Sequence, residues 1–121
     1  MKVVINRCFG GFGISNQAFE KLLERKGIAF NKVPAKYQMR GNEFDYYRAD
    51  GVQSEETYLF ENNFFADRSD PDLIAVIEEL GKDSWGWASD LAIIDIPDDV
   101  KWHICEYDGL EHIAEDHRTW S

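Results

Sequence analysis

Glycine occupies three of the four positions 10–13, between two segments of different periodicity. Residues 2–6 before them are a β-branched run, which is typical of a strand. After them stands Ser15, a residue type that often caps a helix, and apolar residues then recur at helical spacing until Gly27. The chain is therefore predicted to open as strand, glycine loop and helix. The apolar residues of that helix are Ala18, Phe19, Leu22 and Leu23.

A second helix is predicted after Asp70, which can cap it, with Pro71 at the first helical position and Gly81 at its end. Its apolar stripe recurs at i, i+3, i+4 and i+7 and is expected to face a sheet. The members of that stripe are Leu73, Val76, Ile77 and Leu80, with Ile74 beside them.

The remaining apolar segments favour strands. Residues 91–96 are apolar except for Asp95 and predict a buried strand, and residues 100–104 alternate. The tight-turn pair Asp108-Gly109 predicts a hairpin returning through residues 112–114. Between residues 29 and 61 the pattern is weak, and strands are expected only at Phe44–Arg48 and Thr57–Phe60.

Together these elements predict an α+β fold in which two helices pack on one face of a largely antiparallel sheet. At 121 residues, we expect a single two-layer domain spanning residues 1–121. No apolar run approaches a membrane span, and residues 3–5 are too short for a secretory signal, so neither a membrane partner nor export is expected. The predicted location is the cytoplasm.

Charge is divided unevenly along the chain, whose formal net charge is -10. Residues 1–41 carry eight basic and two acidic side chains, a charge of +6, and the rest carries five basic and 21 acidic ones, or -16. Duplex nucleic acid is not an expected partner, because its binding requires Lys and Arg against phosphates. A small anionic ligand needs only a local positive field, so the basic segment is a candidate.

The glycine loop permits two interpretations. Backbone amides of Gly10, Gly11 and Gly13 before a helix N-terminus can cradle phosphate, with Arg7 at the strand end and a base stacked on an aromatic ring. The glycines can equally provide only a sharp turn. Neither nucleotide motif is met, since Asn16 stands where the dinucleotide fingerprint needs glycine and no phosphate-binding lysine follows. The ligand-binding candidates are Arg7, Phe9, Gly10, Gly11, Phe12, Gly13, Ser15 and Arg118.

The histidines and cysteines do not form a recognisable site. His103 and Cys105 would share one face of a strand, with His112 across the hairpin, but their spacing matches no familiar zinc pattern. No metal ligand, catalytic residue or cofactor is therefore assigned. The two cysteines are also too few for a disulfide framework.

The C-terminal residues His117-Arg118-Thr119-Trp120 predict a docked tail, since a Trp on a loose end would leave a large apolar surface in water. It can dock on its own domain or on a second subunit. Aromatic residues make up 14% of the chain, generous for so small a core, so we expect a homo-oligomer, most simply a two-fold dimer.

Six motifs of the chain carry a resemblance: Cys8–Gly13, Asp70–Ile74, Glu78–Gly81, Ile96–Val100, Glu106–Gly109 and His117–Trp120. In these motifs the chain resembles small proteins of bacteriophages and prophages, most of which have no assigned function. The resemblance covers both ends of the chain and is vague over residues 29–66. It implies a phage context, and one phage class of similar build, the Thoeris anti-defence sponges, sequesters cyclic ADP-ribose-type signals.

The leading hypothesis is a non-catalytic phage counter-defence protein that sequesters a small anionic nucleotide signal of the cyclic ADP-ribose or cyclic oligonucleotide type. One alternative is an acidic inhibitor or DNA mimic, whose -16 segment binds a basic surface on a host nucleic-acid enzyme. Another is a small hydrolase that uses the histidine cluster.

Overall fold

A computed structural model describes residues 1–39, 42–52 and 54–115. Two α-helices and six β-strands follow one another in these ranges, with short 3₁₀ turns at Glu61–Phe64 and Gly81–Ser84. The α+β class predicted from the sequence is confirmed. The elements are β1 (Lys2–Asn6), α1 (Asn16–Arg25), β2 (Phe30–Met39), β3 (Asn42–Arg48), α2 (Pro71–Leu80), β4 (Leu91–Asp95), β5 (Trp102–Tyr107) and β6 (Leu110–Glu115).

The strands pair antiparallel, as expected, and in the described residues they form three two-stranded ladders. β2 pairs with β3 and β5 with β6, each with its neighbour in sequence. β1 instead pairs with β4, with Lys2 opposite Asp95 and Asn6 opposite Leu91. The chain therefore returns to its first strand only after both helices are complete.

Local signals place both helices where the sequence predicts them. Ser15 Oγ accepts a hydrogen bond from the Ala18 amide and caps α1. Asp70 accepts from the Asp72 amide and caps α2, with Pro71 at the first helical position. Gly27, at φ 72°, follows the C-terminus of α1.

The helices form one layer on β1 and β4. The buried faces of α1 and α2 pack together with Val4 and Leu91, whereas Val3 and Ile5 point to the opposite side, toward Ile96 and the β5–β6 hairpin. β1 is therefore covered on both faces. The buried helical residues are Ala18, Phe19, Leu22 and Leu23 on α1 and Leu73, Ile74, Val76 and Ile77 on α2.

The middle of the chain departs from the sequence predictions. The strand predicted at Thr57–Phe60 is wrong, because this segment forms only an isolated bridge between Tyr58 and Tyr47. β2, ten residues long, was not predicted. It contains Pro34, and its pairing with β3 shifts register after that residue, so its apolar positions do not alternate.

Within the described ranges, no helix is long and apolar enough to cross a membrane.

Candidate functional site

The glycine loop leaves β1 and packs on the β5–β6 turn. The Gly10 amide donates to the Asp108 carbonyl at 3.2 Å. Gly11 adopts φ 103°, which L side chains rarely adopt. A Cβ on Gly10 would lie 2.6 Å from the Ala88 carbonyl oxygen, and one on Gly109 would overlap the Gly11 amide. These glycines are thus required by backbone conformation and by close packing, which is the turn interpretation of the sequence.

Asn6 fixes the start of the loop. Its side chain is fully buried, and its amide group donates to the carbonyls of Cys8 and Gly109, both at 2.8 Å. Its carbonyl oxygen accepts from the amides of Asp90 at 2.9 Å and Cys8 at 3.3 Å. One side chain therefore joins the glycine loop, the β5–β6 turn and the entry to β4.

Phe12 turns inward from the loop. Its ring meets Phe65 edge-on with centroids 4.7 Å apart, and the Arg68 guanidinium lies 3.8 Å from its centroid. Arg68 in turn forms a bidentate ion pair with the buried Glu111 of β6. Since this guanidinium covers one ring face, Phe12 belongs to the support of the loop.

A carboxylate occupies the exit of the loop. Glu61 Oε1 accepts a hydrogen bond from the Ile14 amide at 3.1 Å, immediately before the N-terminus of α1. Burial raises the pKa of the Glu61 carboxyl, and the Ile14 hydrogen bond only partly opposes that shift. Ser15 is fully used as a cap, since its hydroxyl also donates to the Asp83 carbonyl at 2.6 Å. An external anion would therefore have to bind the loop before Ile14.

Much of the positive charge of residues 1–41 is neutralised by α2 and its cap. Lys26 approaches Asp70 at 2.6 Å, and the hydrogen bond to Asp70 is the largest cause of a raised pKa at Lys26. Lys26 also approaches Asp72 at 3.4 Å, and three further pairs are more exposed and individually weak. They are Lys2 with Glu78, Lys21 with Glu79 and Arg25 with Asp72.

Arg7 remains available at the loop. Its side chain is exposed and forms no ion pair with another residue in the described ranges, while its amide donates to the Asp90 carbonyl. Arg118, the second arginine predicted to bind phosphate, lies outside the described residues, as do His117 and Trp120.

Three exposed aromatic residues are chain neighbours of residues that meet at the glycine loop. Phe9 is 63% exposed, Trp87 64% and Tyr107 72%. Gly10 contacts both Ala88 and Asp108. Phe9, Trp87 and Tyr107 are the residues that directly precede these three in the chain. We call this surface, formed by Arg7, Phe9, the glycine loop, Trp87 and Tyr107, the loop face. The sequence analysis did not predict Trp87 and Tyr107 as site residues. The sequence feature that could have indicated them is their position next to Gly86 and to the Asp108-Gly109 turn.

His103, Cys105 and His112 lie on the β5–β6 hairpin. Cys105 lies opposite His112, and His103 opposite Ala114. Among the described residues, no three His, Cys, Asp or Glu side chains are arranged to hold a metal ion. Both cysteines are free thiols and half-buried.

Comparisons of the chain with protein-family models, with curated proteins and with solved structures found no match.

Proposed function

We propose that the protein is a non-catalytic binding protein that holds a small anionic nucleotide on the loop face. The observation that carries the proposal is the exposure of Phe9, Trp87 and Tyr107 around the glycine loop. Large exposed aromatic surfaces are uncommon away from binding sites, and every nucleobase has a face that stacks on an aromatic ring. The base would stack on Phe9, since one face of the Phe12 ring is covered by Arg68.

Phosphate would bind beside the base. The Arg7 guanidinium is exposed, and within the described chain the amides of Phe12 and Gly13 have no hydrogen-bond acceptor. A guanidinium and backbone amides are the groups that bind phosphate in the absence of a metal. Because binding alone accounts for these features, the proposed role is sequestration of a nucleotide immune signal in the phage context that the sequence resemblance implies.

The test is thermal shift against a panel of cyclic and linear nucleotides, followed by titration calorimetry with any nucleotide that stabilises the protein. A ligand at about 100 times its dissociation constant adds about 2.7 kcal/mol to stability. Arg7→Gln and Phe9→Ser should each weaken binding at least tenfold and leave the melting temperature of the free protein unchanged. Arg48→Gln and Val52→Ser are matched controls, since both side chains are exposed and lie outside the loop face. Wild-type affinity in both loop-face variants would overturn the proposal.

A second candidate is an acidic protein that occupies the nucleic-acid site of a host enzyme. It is favoured by the pairing of basic side chains with α2, which leaves the exposed carboxylates elsewhere without equal counter-charge. In this case the protein would displace duplex DNA from such an enzyme, and displacement would weaken steeply as salt rises. Arg7→Gln would leave that displacement intact, which separates the two candidates.

The homo-oligomer predicted from the sequence stays a prediction, which sedimentation at micromolar concentrations tests directly.

A further inference from the structure

A cavity lies on the far side of β3 from the helical core. It has a volume of about 450 Å³ and is lined by Tyr47, Ser54, Glu55, Tyr58 and Phe60. None of these residues belongs to the loop face, so the cavity needs an explanation of its own.

Strand alternation places the first wall of this cavity. Along β3, Tyr46 packs into the helical core together with Phe44. Asp45 and Tyr47 therefore point to the opposite face. The chain folds back over that face and forms the bridge between Tyr47 and Tyr58. Both Tyr58 and Phe60 thereby reach the same cavity as Tyr47.

The three rings meet at steep angles. Tyr47 and Tyr58 have centroids 5.3 Å apart, and Tyr58 and Phe60 have centroids 4.4 Å apart, with an interplanar angle of 73° in each pair. Rings at such angles form adjoining walls, whereas a planar base is held between parallel faces. Three aromatic residues that line one space at steep mutual angles suit a compact, rounded cation, because the negative face of an aromatic ring attracts cations.

The charge around the cavity has the sign that a cation requires. Glu55 is one of its lining residues, and the Tyr58 hydroxyl donates to Asp45 Oδ1 at 3.2 Å. Asp45 Oδ2 also accepts from the backbone amide of Lys36. Arg48, the adjacent cation on β3, points to the other face of the strand by alternation. The near carboxylates thus lie on the cavity side.

The turn that carries Glu55 is held by local hydrogen bonds. The Thr57 hydroxyl donates to the Val52 carbonyl at 2.9 Å and accepts from the Ser54 amide at 3.0 Å. The Arg48 amide donates to the Thr57 carbonyl, which fastens the turn to β3. The wall that bears Glu55 is therefore fixed relative to Tyr47.

We propose that Tyr47, Tyr58 and Phe60, with Glu55, form an aromatic cage for an alkylammonium ion. The ligand class covers a free quaternary amine and the methylated ammonium of a lysine side chain, which share the same chemistry. The cage is independent of the nucleotide proposed for the loop face.

The decisive experiment compares choline with 3,3-dimethyl-1-butanol, in which carbon replaces the charged nitrogen at the same shape. Titration followed by NMR should show choline binding at least tenfold more tightly than the neutral alcohol. Phe60→Ala and Glu55→Gln should each weaken choline binding severalfold. Phe60 is 55% exposed, so its truncation should leave the fold intact, which circular dichroism verifies. Val52→Ala, at an exposed residue of the same segment outside the cavity lining, should bind choline like the wild type.

Separate titrations of the protein with free choline and with a short peptide that contains trimethyl-lysine distinguish the two sources of the cation. Preference for either probe supports the cage and identifies its ligand. Equal binding of choline and the neutral alcohol would show that the cavity binds through apolar contact alone and would overturn the proposal. Binding of neutral adenosine without choline would overturn it as well. Nucleotide binding that is lost in Arg7→Gln and kept in Phe60→Ala concerns only the loop face, so the two proposals fail separately.

Discussion

Arg68 and Glu111 form a bidentate ion pair beneath the glycine loop, with Nη1–Oε1 2.7 Å and Nη2–Oε2 2.9 Å. The two side chains are only 16% and 7% exposed. Glu111 Oε1 also accepts from the backbone amide of Asn6 at 2.8 Å. One carboxylate thus links the last residue of β1, the segment before α2 and strand β6.

We predict that Glu111→Gln destabilises the fold strongly. The change leaves the Arg68 guanidinium enclosed without its counter-ion, and such losses cost about 3–5 kcal/mol. Urea unfolding measures the change. The matched control is Glu79→Gln, which breaks the exposed pair with Lys21 and should cost less than about 1 kcal/mol. Equal losses of unfolding free energy in the two variants would contradict the prediction that the ion pair of Glu111 stabilises the fold.

Asn6→Asp is expected to loosen the glycine loop. The substitution keeps the size and the acceptor oxygen but removes the amide group that donates to Cys8 and Gly109. Leaving these half-buried carbonyls without a donor, opposite a carboxylate, costs about 1–3 kcal/mol. Urea unfolding should report this loss, and hydrogen exchange at the Gly10 amide should accelerate. Asn63→Asp, at an exposed position, is the control and should change neither measurement.

Because of the Glu61 carboxyl, the free energy of unfolding should fall as the pH rises above 4.5. Burial raises its pKa in the folded protein above 4.5, so between pH 4.5 and that raised pKa the folded state holds more protons than the unfolded state. Glu61→Gln keeps an acceptor for the Ile14 amide without a buried charge. The variant should therefore have a higher urea midpoint than wild type at pH 7, and the difference should vanish below pH 4.5. A lower midpoint at pH 7 would refute this reasoning; Glu56→Gln, at an exposed residue, is the control.

Ile77→Ala tests the helical core. Ile77 is 4% exposed and belongs to the apolar stripe of α2. Truncation of a buried Ile costs on the order of 2–4 kcal/mol through lost burial and the cavity left behind. The exposed neighbour Glu78→Ala should cost less than about 1 kcal/mol. A loss below about 0.5 kcal/mol for Ile77→Ala would place the stripe at the surface.

The elements that sequence reasoning predicted well depend on neighbours in the chain. Ser15, Asp70 and Gly27 act within one helical turn of their own position, so both helices could be placed. β2 could not, because Pro34 and the register shift after it remove the two-residue period. Local pattern therefore determined which segments were predictable.

The loop face was predictable only in part, for a similar reason. The glycine loop and Phe9 stand out in the sequence, but the contacts that bring Trp87 and Tyr107 to the loop join residues almost 80 to 100 positions apart. Phe9 and Phe12 also look alike in sequence. The contacts of the Phe12 ring with Arg68 and Phe65 distinguish this supporting aromatic from the exposed Phe9.

The pairing of β1 with β4 has a consequence for synthesis on the ribosome. Residues 2–6 leave before their ladder partners, residues 91–95, which follow about 85 residues later. At about 5–20 residues per second, roughly 4–17 s separate the two strands. During that interval Val3, Val4 and Ile5 form an apolar segment with open backbone donors and acceptors on a nascent chain. Residues 2–6 are thus a segment that a cell's chaperones can bind during the interval before its partner strand is made.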